Sequence, residues 1–426
     1  MLEKITRIFH IKDLRNKILI VLAILAISRL FTAIPIPGID PEKLKSFFSG
    51  NQFFGLMGVL TGGALSRLSI AMLGLGPYIT ATIIMQLLTM ISPRLKEMYQ
   101  EAGEQGRKKF EQYARIATVP LSMLQAFAFI NLFKQQGVIS SSLLPIELFT
   151  NIITITAGAM ILMWLGELIT QKGIGNGVSL LIFAGIVDRI PTQLWQTVST
   201  WDPAKILSYF LFIITALIVI ACVVFITEGQ KNIPVSYAKR IRGNRMYGGA
   251  STFLPLRINQ AGVIPIIFAI SILLFPGMIA NFLSGATSPA LVNFAHILNS
   301  IFQNKIFYGF SYFVLIVVFT YFYTAVTFDP KNVSENLQKS GGFIPGIRPG
   351  INTSQYISYI INRITLIGAF FLGIIAILPM IIQGLTGIAT FQFMIGGTAL
   401  LIVVSVVLET VKQIKAQIVM RDYEAF

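Results

Sequence analysis

The chain has one cysteine, Cys222, and two histidines, His10 and His296, in 426 residues. A single thiol cannot close an intramolecular disulfide, and one Cys with two His does not make a transition-metal cluster. Charge is also scarce: only 12% of residues are Asp, Glu, Lys or Arg, and acidic side chains are nearly missing from the middle of the long apolar runs. Ion-coupled transport needs a titrating or coordinating group at that depth. Glu167, Asp188, Glu228 and Glu409 all fall near the ends of the runs, where a solvated or capping role suits them.

Nucleotide motifs are missing too. Gly103-Glu104-Gln105-Gly106-Arg107-Lys108 lacks the spacing of a phosphate loop and no strand precedes it. Gly173-Ile174-Gly175-Asn176-Gly177 fails the dinucleotide pattern and reads as a tight turn, for which glycine supplies the backbone freedom. No paired acids, metal ligands or activated nucleophile converge, so neither an enzyme nor a bound cofactor or metal is expected. Near the N-terminus, Met1 to Lys17 is charged and shows no removable signal peptide.

What the chain has in abundance is apolar sequence. Hydrophobic residues make up 54%, and the mean hydropathy is +0.74. Runs of the length that ~30 Å of hydrocarbon requires recur ten times. They lie at about 18–36, 71–91, 116–133, 149–169, 178–195, 206–227, 260–283, 306–328, 364–383 and 392–411. The predicted fold class is an all-α polytopic membrane protein.

The net charge of +15 is not spread over one face, as nucleic-acid binding would require. Of the 33 Lys and Arg, 25 fall in the two tails and the connections after even-numbered spans. That asymmetry places both termini in the cytoplasm. Five spans, a connection at Gln196 to Lys205 and five more suggest an N-terminal half, 1–195, and a C-terminal half, 196–426. An odd number of spans per half would orient the two oppositely. Arg29 is the clearest charge inside a span, where it either meets a partner carboxylate or reaches toward the interface.

Before the second span, Gly55, Gly58, Gly62, Gly63, Gly74 and Gly76 crowd a stretch ending in Pro77. Gly and Pro interrupt helices, and interruption at membrane depth is tolerated where protein or a cavity satisfies the freed backbone. A short half-helix from about Gly62 to Leu73, bearing Ser66 and Arg67, is one expectation. A re-entrant loop is the other.

Several motifs occur in a telling order: Ile34-Pro35-Ile36-Pro37-Gly38-Ile39-Asp40, Gly62-Gly63-Ala64-Leu65-Ser66-Arg67, Gly76-Pro77-Tyr78-Ile79, Met163-Trp164-Leu165-Gly166-Glu167, Gly173-Ile174-Gly175-Asn176-Gly177, Tyr237-Ala238-Lys239-Arg240 and Pro345-Gly346-Ile347-Arg348-Pro349-Gly350. Together they resemble the SecY family, central subunits of the Sec protein-translocation channel, nearly end to end. The resemblance implies an hourglass pore between two inversely related halves in the bacterial cytoplasmic membrane. Unfolded secretory chains cross it, and transmembrane segments leave it sideways into lipid.

By the same resemblance, Gly62, Gly63, Ser66, Arg67 and Leu73 belong to a plug, and Leu75, Ile79, Ile182, Ile186, Ile267 and Ile402 form an aliphatic pore ring. Leu75 stands where many relatives carry Ile. Thr80, Gln125 and Asn259, with Phe275 on the same helix as Asn259, correspond to a lateral gate between spans two and three and spans seven and eight. Lys239, Arg240, Arg242 and Arg245, in the loop at about 229–257, and Arg348, in the loop at about 329–363, correspond to the docking surface for the SecA motor ATPase and the ribosome with its nascent chain. Asn244 stands where many relatives carry another Arg. Implied partners also include SecE, SecG, signal-sequence-bearing preproteins and membrane lipids. A small-solute secondary transporter with inverted repeats is the competing reading, since that architecture is shared.

Overall fold

The computed structural model describes residues 11–37, 43–44, 61, 64–100, 102–135, 137–139, 144–199, 203, 206–237, 240–242, 245–247, 251–284, 288–386 and 397–424. The chain is dominated by helices: α1 Lys12–Ala33, α2 Gly76–Ile91, α3 Pro93–Gln100, α4 Gly103–Gln135, α5 Pro145–Gln171, α6 Gly177–Ser199, α7 Ile206–Glu228, α8 Ile264–Ser284, α9 Pro289–Gln303, α10 Lys305–Thr327, α11 Pro330–Lys339, α12 Ile351–Thr386 and α13 Gly397–Glu424. Five of the described helices are long and apolar enough to cross a membrane, and shorter apolar helices include α2 and α9. The chain is an all-α polytopic membrane protein with one small β excursion.

That excursion lies where the sequence reading expected only a basic loop. β1 Gln230–Tyr237 pairs antiparallel with β4 Ser251–Arg257, and β2 Arg240–Arg242 pairs with β3 Arg245–Tyr247. Alternation explains it. Ile233 and Val235 are buried while Pro234 is exposed, the period-two pattern of a half-covered strand.

Helix ends also depart from the apolar runs. α4 and α12 begin well before their predicted spans at 116–133 and 364–383, and α13 continues past its span at 392–411, because polar sequence sustains a helix once apolar neighbours anchor one end. α9 was not among the ten expected runs.

The helices pack in two groups. α1 lies on α5 and α6, and α2 and α4 pack together and onto α5; in the second group α8 and α12 pack on α10, and α13 packs on α7 and α12. The groups meet along two seams, α8 against α2 and α4, and α13 against α6. A salt bridge of 2.8 Å from Lys412 to Glu228 pins α13 to α7.

The glycine turn at residues 172–176 behaves as its sequence predicts. Gly173 and Gly175 adopt φ of 74° and 78°, which side-chain-bearing residues rarely do. The extended end of α13 covers the turn: the Gly175 N–H donates to Gln413 Oε1, and Gln417 Nε2 donates to the Gly173 carbonyl oxygen at 2.6 Å.

Candidate pore and docking surface

The six residues expected to form an aliphatic ring fall in one large apolar cluster. Leu75, Ile182, Ile186, Ile267 and Ile402 are buried in it, and Ile79 packs against it half-buried. Leu75 caps the N-terminus of α2 and Ile79 lies one turn on, while Ile182 and Ile186 share a face of α6 at i, i+4. Ile267 comes from α8 and Ile402 from α13. These four helices, together with α4, are those that meet at the two seams. A cluster of aliphatic side chains offers no ligand to replace an ion's hydration shell, and it deforms by rotamer changes instead of breaking polar bonds.

The glycine-rich segment needs correction. It is not a half-helix from Gly62 to Leu73: the described residues hold a single 3-10 turn, Leu65–Arg67, followed by tight turns up to α2. Gly62 and Gly63 lie outside the described residues. Two things stop a regular helix. Leu68 is left-handed at φ 42°, and Gly74 has φ 57°. The chain is also held sideways by the stretch after α1. The Ile36 N–H donates to the Leu68 carbonyl oxygen at 2.9 Å, and the Ile70 N–H to the Ile34 carbonyl oxygen at 3.0 Å. The Ile34-Pro35-Ile36 motif therefore serves as a short antiparallel bridge, Pro35 opposite Ser69, for the segment that follows.

This segment joins two apolar clusters. Ala64 and Ala71 belong to the ring cluster, whereas Leu65, Leu68, Met72 and Leu73 pack with Phe129, Ile130 and Phe133 of α4 and Ile155 and Ala159 of α5. A leucine in the left-handed region costs about 1 kcal/mol, and burying its side chain offsets that with about 2 kcal/mol. Ser66 sits within the 3-10 turn and Arg67 is exposed.

Arg67 has electrostatic company that separate inspection of the spans missed. Arg29 of α1 and Arg189 of α6 each lie within electrostatic reach of Arg67 and of Asp188. Arg29 Nε also donates to Ser28 Oγ at 3.4 Å. Four charges from three separate stretches of sequence thus become one cluster beside the Leu65–Arg67 turn, which only the fold brings together.

A second missed pair is Arg115 of α4 with Glu167 of α5, joined through Nε and Oε1. Glu167 is a partner in an interhelical salt bridge, not a solvated end residue.

The residues expected to form a lateral gate are only partly brought together. Thr80, Gln125 and Asn259 are all buried, and α8 packs against both α2 and α4. Asn259 does not share a helix with Phe275. It precedes α8 in a turn, where its Nδ2 donates to the Gly262 carbonyl oxygen at 3.2 Å and its Oδ1 is buried with no hydrogen-bond partner. No hydrogen bond links the three among the described residues. Phe275 is half-buried on α8, next to Pro276, whose missing N–H removes one bond from the helix ladder.

The two basic loops form one body. β5 Gly342–Phe343 adds to β1 through Ser236 and Tyr237, so the strand order is β4-β1-β5. Ile233, Val235, Leu256, Ile344, Ile357 and Ile361 make a separate small core beneath. Arg240, Arg242 and Arg245 occupy the β2–β3 hairpin at the tip, and Lys239 lies outside the described residues. Arg348 is exposed, and buried Thr353 donates its hydroxyl to the Arg348 carbonyl oxygen at 3.0 Å. Ser334 Oγ donates to the Gly350 carbonyl oxygen at 2.7 Å, closing the loop from its other end.

In the first turns of α4, Lys108 pairs with Glu104 at 2.9 Å; its hydrogen bond and charge hold the Glu104 carboxyl below its usual range. The pair is fully exposed and solvent-screened, so it adds little to stability.

Comparison with known proteins gives the family and the fold. A model of the SecY family matches residues 69–411. The protein translocase subunit SecY of Streptomyces galbus is 43% identical, with 100% of both chains covered. That of Mycobacterium tuberculosis is 42% identical over 97% of each. Among solved structures, a SecY channel described for its plug domain superposes with a TM-score of 0.64 at 21% identity, covering 92% of this chain and 90% of its own.

Proposed function

This chain belongs to the SecY family of protein translocase subunits, and we propose that it forms the closed-resting path by which unfolded secretory polypeptides cross the bacterial cytoplasmic membrane. The observation that carries this reading is the gathering of Leu75, Ile79, Ile182, Ile186, Ile267 and Ile402 from four helices at two seams. They form the constriction. A passing chain separates them, and they close behind it without leaving buried polar groups unpaired.

The segment from Ala64 to Leu73 is the plug, with Gly62 and Gly63 before it and Ser66 and Arg67 in its one helical turn. Its release exchanges contacts with α4 and α5 for solvent in the external funnel. The seam of α8 against α2 and α4 is the lateral gate, lined by Thr80, Gln125, Asn259 and Phe275, through which transmembrane segments enter lipid. Residues 1–195 and 196–426 are the halves that move apart. Both termini lie in the cytoplasm, as the distribution of Lys and Arg requires.

Directed transport draws its energy from outside this chain, which acts as a conduit and not as an enzyme. The β hairpin with Arg240, Arg242 and Arg245, together with Lys239 and Arg348, is the docking surface for the SecA ATPase and for ribosomes carrying nascent chains. A solved canine relative is itself the channel of a ribosome-channel complex. SecE and SecG complete the assembly, and preproteins bearing signal sequences are the cargo. The small-solute transporter reading has no support from relatives that share the translocase name over their full length.

The direct test is site-specific crosslinking from Ile186 and Ile402 to a stalled secretory chain. Adducts at ring positions and none at lipid-facing Ile218 are expected. Failure at every ring position would remove the pore assignment.

A further inference from the structure

α9, Pro289–Gln303, carries no residue of the ring, the plug, the gate or the docking surface. It links α8 to α10 and packs along α8, and by the topology proposed above it lies on the side opposite the termini. Its fifteen residues include no Asp, Glu, Lys or Arg.

At 100° per residue the helix divides into three stripes. Val292, Ala295 and Phe302 face the protein: Ala295 is buried, and Phe302 packs against the ring cluster. Asn293, His296 and Ser300 form an exposed polar stripe. Between them runs an exposed apolar stripe, Leu291, Phe294, Ile297 and Ile301, with relative exposures of 43%, 52%, 56% and 39%. A helix needing only to pack on α8 requires the first stripe alone, and a helix surrounded by water would not keep the third.

Continuity identifies what covers that third stripe. One residue, Asn304, separates α9 from α10, and its side chain accepts the N–H groups of Ile306 and Phe307 at 3.0 and 3.4 Å. α10 is a 23-residue apolar span whose exposed face begins at once with Ile306, Phe307 and Phe310. These side chains face acyl chains, since α10 enters the hydrocarbon there. The end of α9 is therefore fixed at the outer boundary of the hydrocarbon, and its apolar stripe extends the lipid-facing surface of α10.

We propose that α9 is an interfacial anchor: Leu291, Phe294, Ile297 and Ile301 insert into the acyl boundary of the outer leaflet while Asn293, His296 and Ser300 remain in water. Because the helix carries no basic residue, its hold on lipid comes from apolar area and not from anionic headgroups. The anchor ties the outer ends of α8 and α10 to the membrane surface.

The test uses spin labels on the full-length chain carrying Cys222→Ala, reconstituted in vesicles of phosphatidylethanolamine and phosphatidylglycerol. Single cysteines are introduced as Phe294→Cys, Ile297→Cys, Asn293→Cys and Ser300→Cys, with Phe310→Cys and Lys331→Cys as the lipid and water references. Collisions with oxygen and with a water-soluble nickel chelate are measured. The ratio of oxygen to nickel collisions should be severalfold higher at positions 294 and 297 than at 293 and 300, approaching that at 310. Nickel access at 294 and 297 equal to that at 331 would overturn the proposal by placing the stripe in water. Low access to both reagents would overturn it by showing a protein cover. The measurement is made on idle protein, so it is independent of the translocation reading.

Discussion

A Cβ placed on Gly158 of α5 would collide with the carbonyl oxygen of Ile70. Backbone touches backbone there, so the plug segment rests on α5 only because residue 158 has no side chain. Neither residue belongs to the pore ring, yet this contact sets how deeply the segment seats.

Gly158→Ala should therefore lift the segment. Overpacking of this kind costs about 1–3 kcal/mol, and Leu68 and Leu73 would lose part of their burial. The expected outcome is a higher resting ion conductance in planar bilayers, with α5 itself still folded. An unchanged resting conductance would show that the segment does not seal the path.

Ile267→Asn and Ile402→Asn should loosen the constriction. An amide without partners in this cluster costs the closed packing about 1–3 kcal/mol, which raises the open population roughly tenfold or more. Export of a reporter with a defective signal sequence should increase in both variants. Unaltered stringency in the two would count against these side chains forming the seal.

The Arg115–Glu167 pair makes a prediction about helix contact. Arg115→Met leaves a half-buried carboxylate without its partner and should lower stability by about 1 kcal/mol, a figure reduced because the arginine is about one-third exposed. Glu167→Gln combined with Arg115→Met should recover part of that loss. Strict additivity of the two changes in thermal unfolding would mean that the pair does not couple α4 to α5.

Arg348 and Thr353 separate docking from scaffold. Arg348→Ala should leave thermal stability unchanged while reducing the salt dependence of ribosome binding by about one unit in log–log slope, the signature of one lost phosphate contact. Thr353→Val removes the hydrogen bond to the Arg348 carbonyl and should cost about 1 kcal/mol of loop stability. Equal effects of both variants on stability and binding would make Arg348 a structural residue.

The motifs differ in how much they reveal unaided. Gly173-Ile174-Gly175-Asn176-Gly177 was readable as a turn because positive φ at glycine is a local property. Its docking onto Gln413 and Gln417, more than 200 residues later, was not. Ile34-Pro35-Ile36 and Ser69 show the same division: the proline marks an extended stretch, but the bridge needs both strands in place. The plug failed as a helix because Leu68 adopts a left-handed conformation that propensity gives no reason to expect. α9 escaped the search for spans because fifteen residues are too short to cross hydrocarbon.

Sequence alone determined that the chain spans a membrane repeatedly, since apolar length is a covalent property that only lipid can satisfy. The placement of lysine and arginine carries the expectation that both termini are cytoplasmic, and the composition offers no motif for thiol, metal or nucleotide chemistry. Tertiary structure alone decided which aliphatic residues meet. Every span is rich in isoleucine and leucine, and composition cannot distinguish one facing lipid from one facing Ile402. It also decided that Arg29 and Arg189 each sense the charges of Arg67 and Asp188, and that Gly158 admits the backbone of Ile70. Those relations depend on distances across helices that no local pattern encodes.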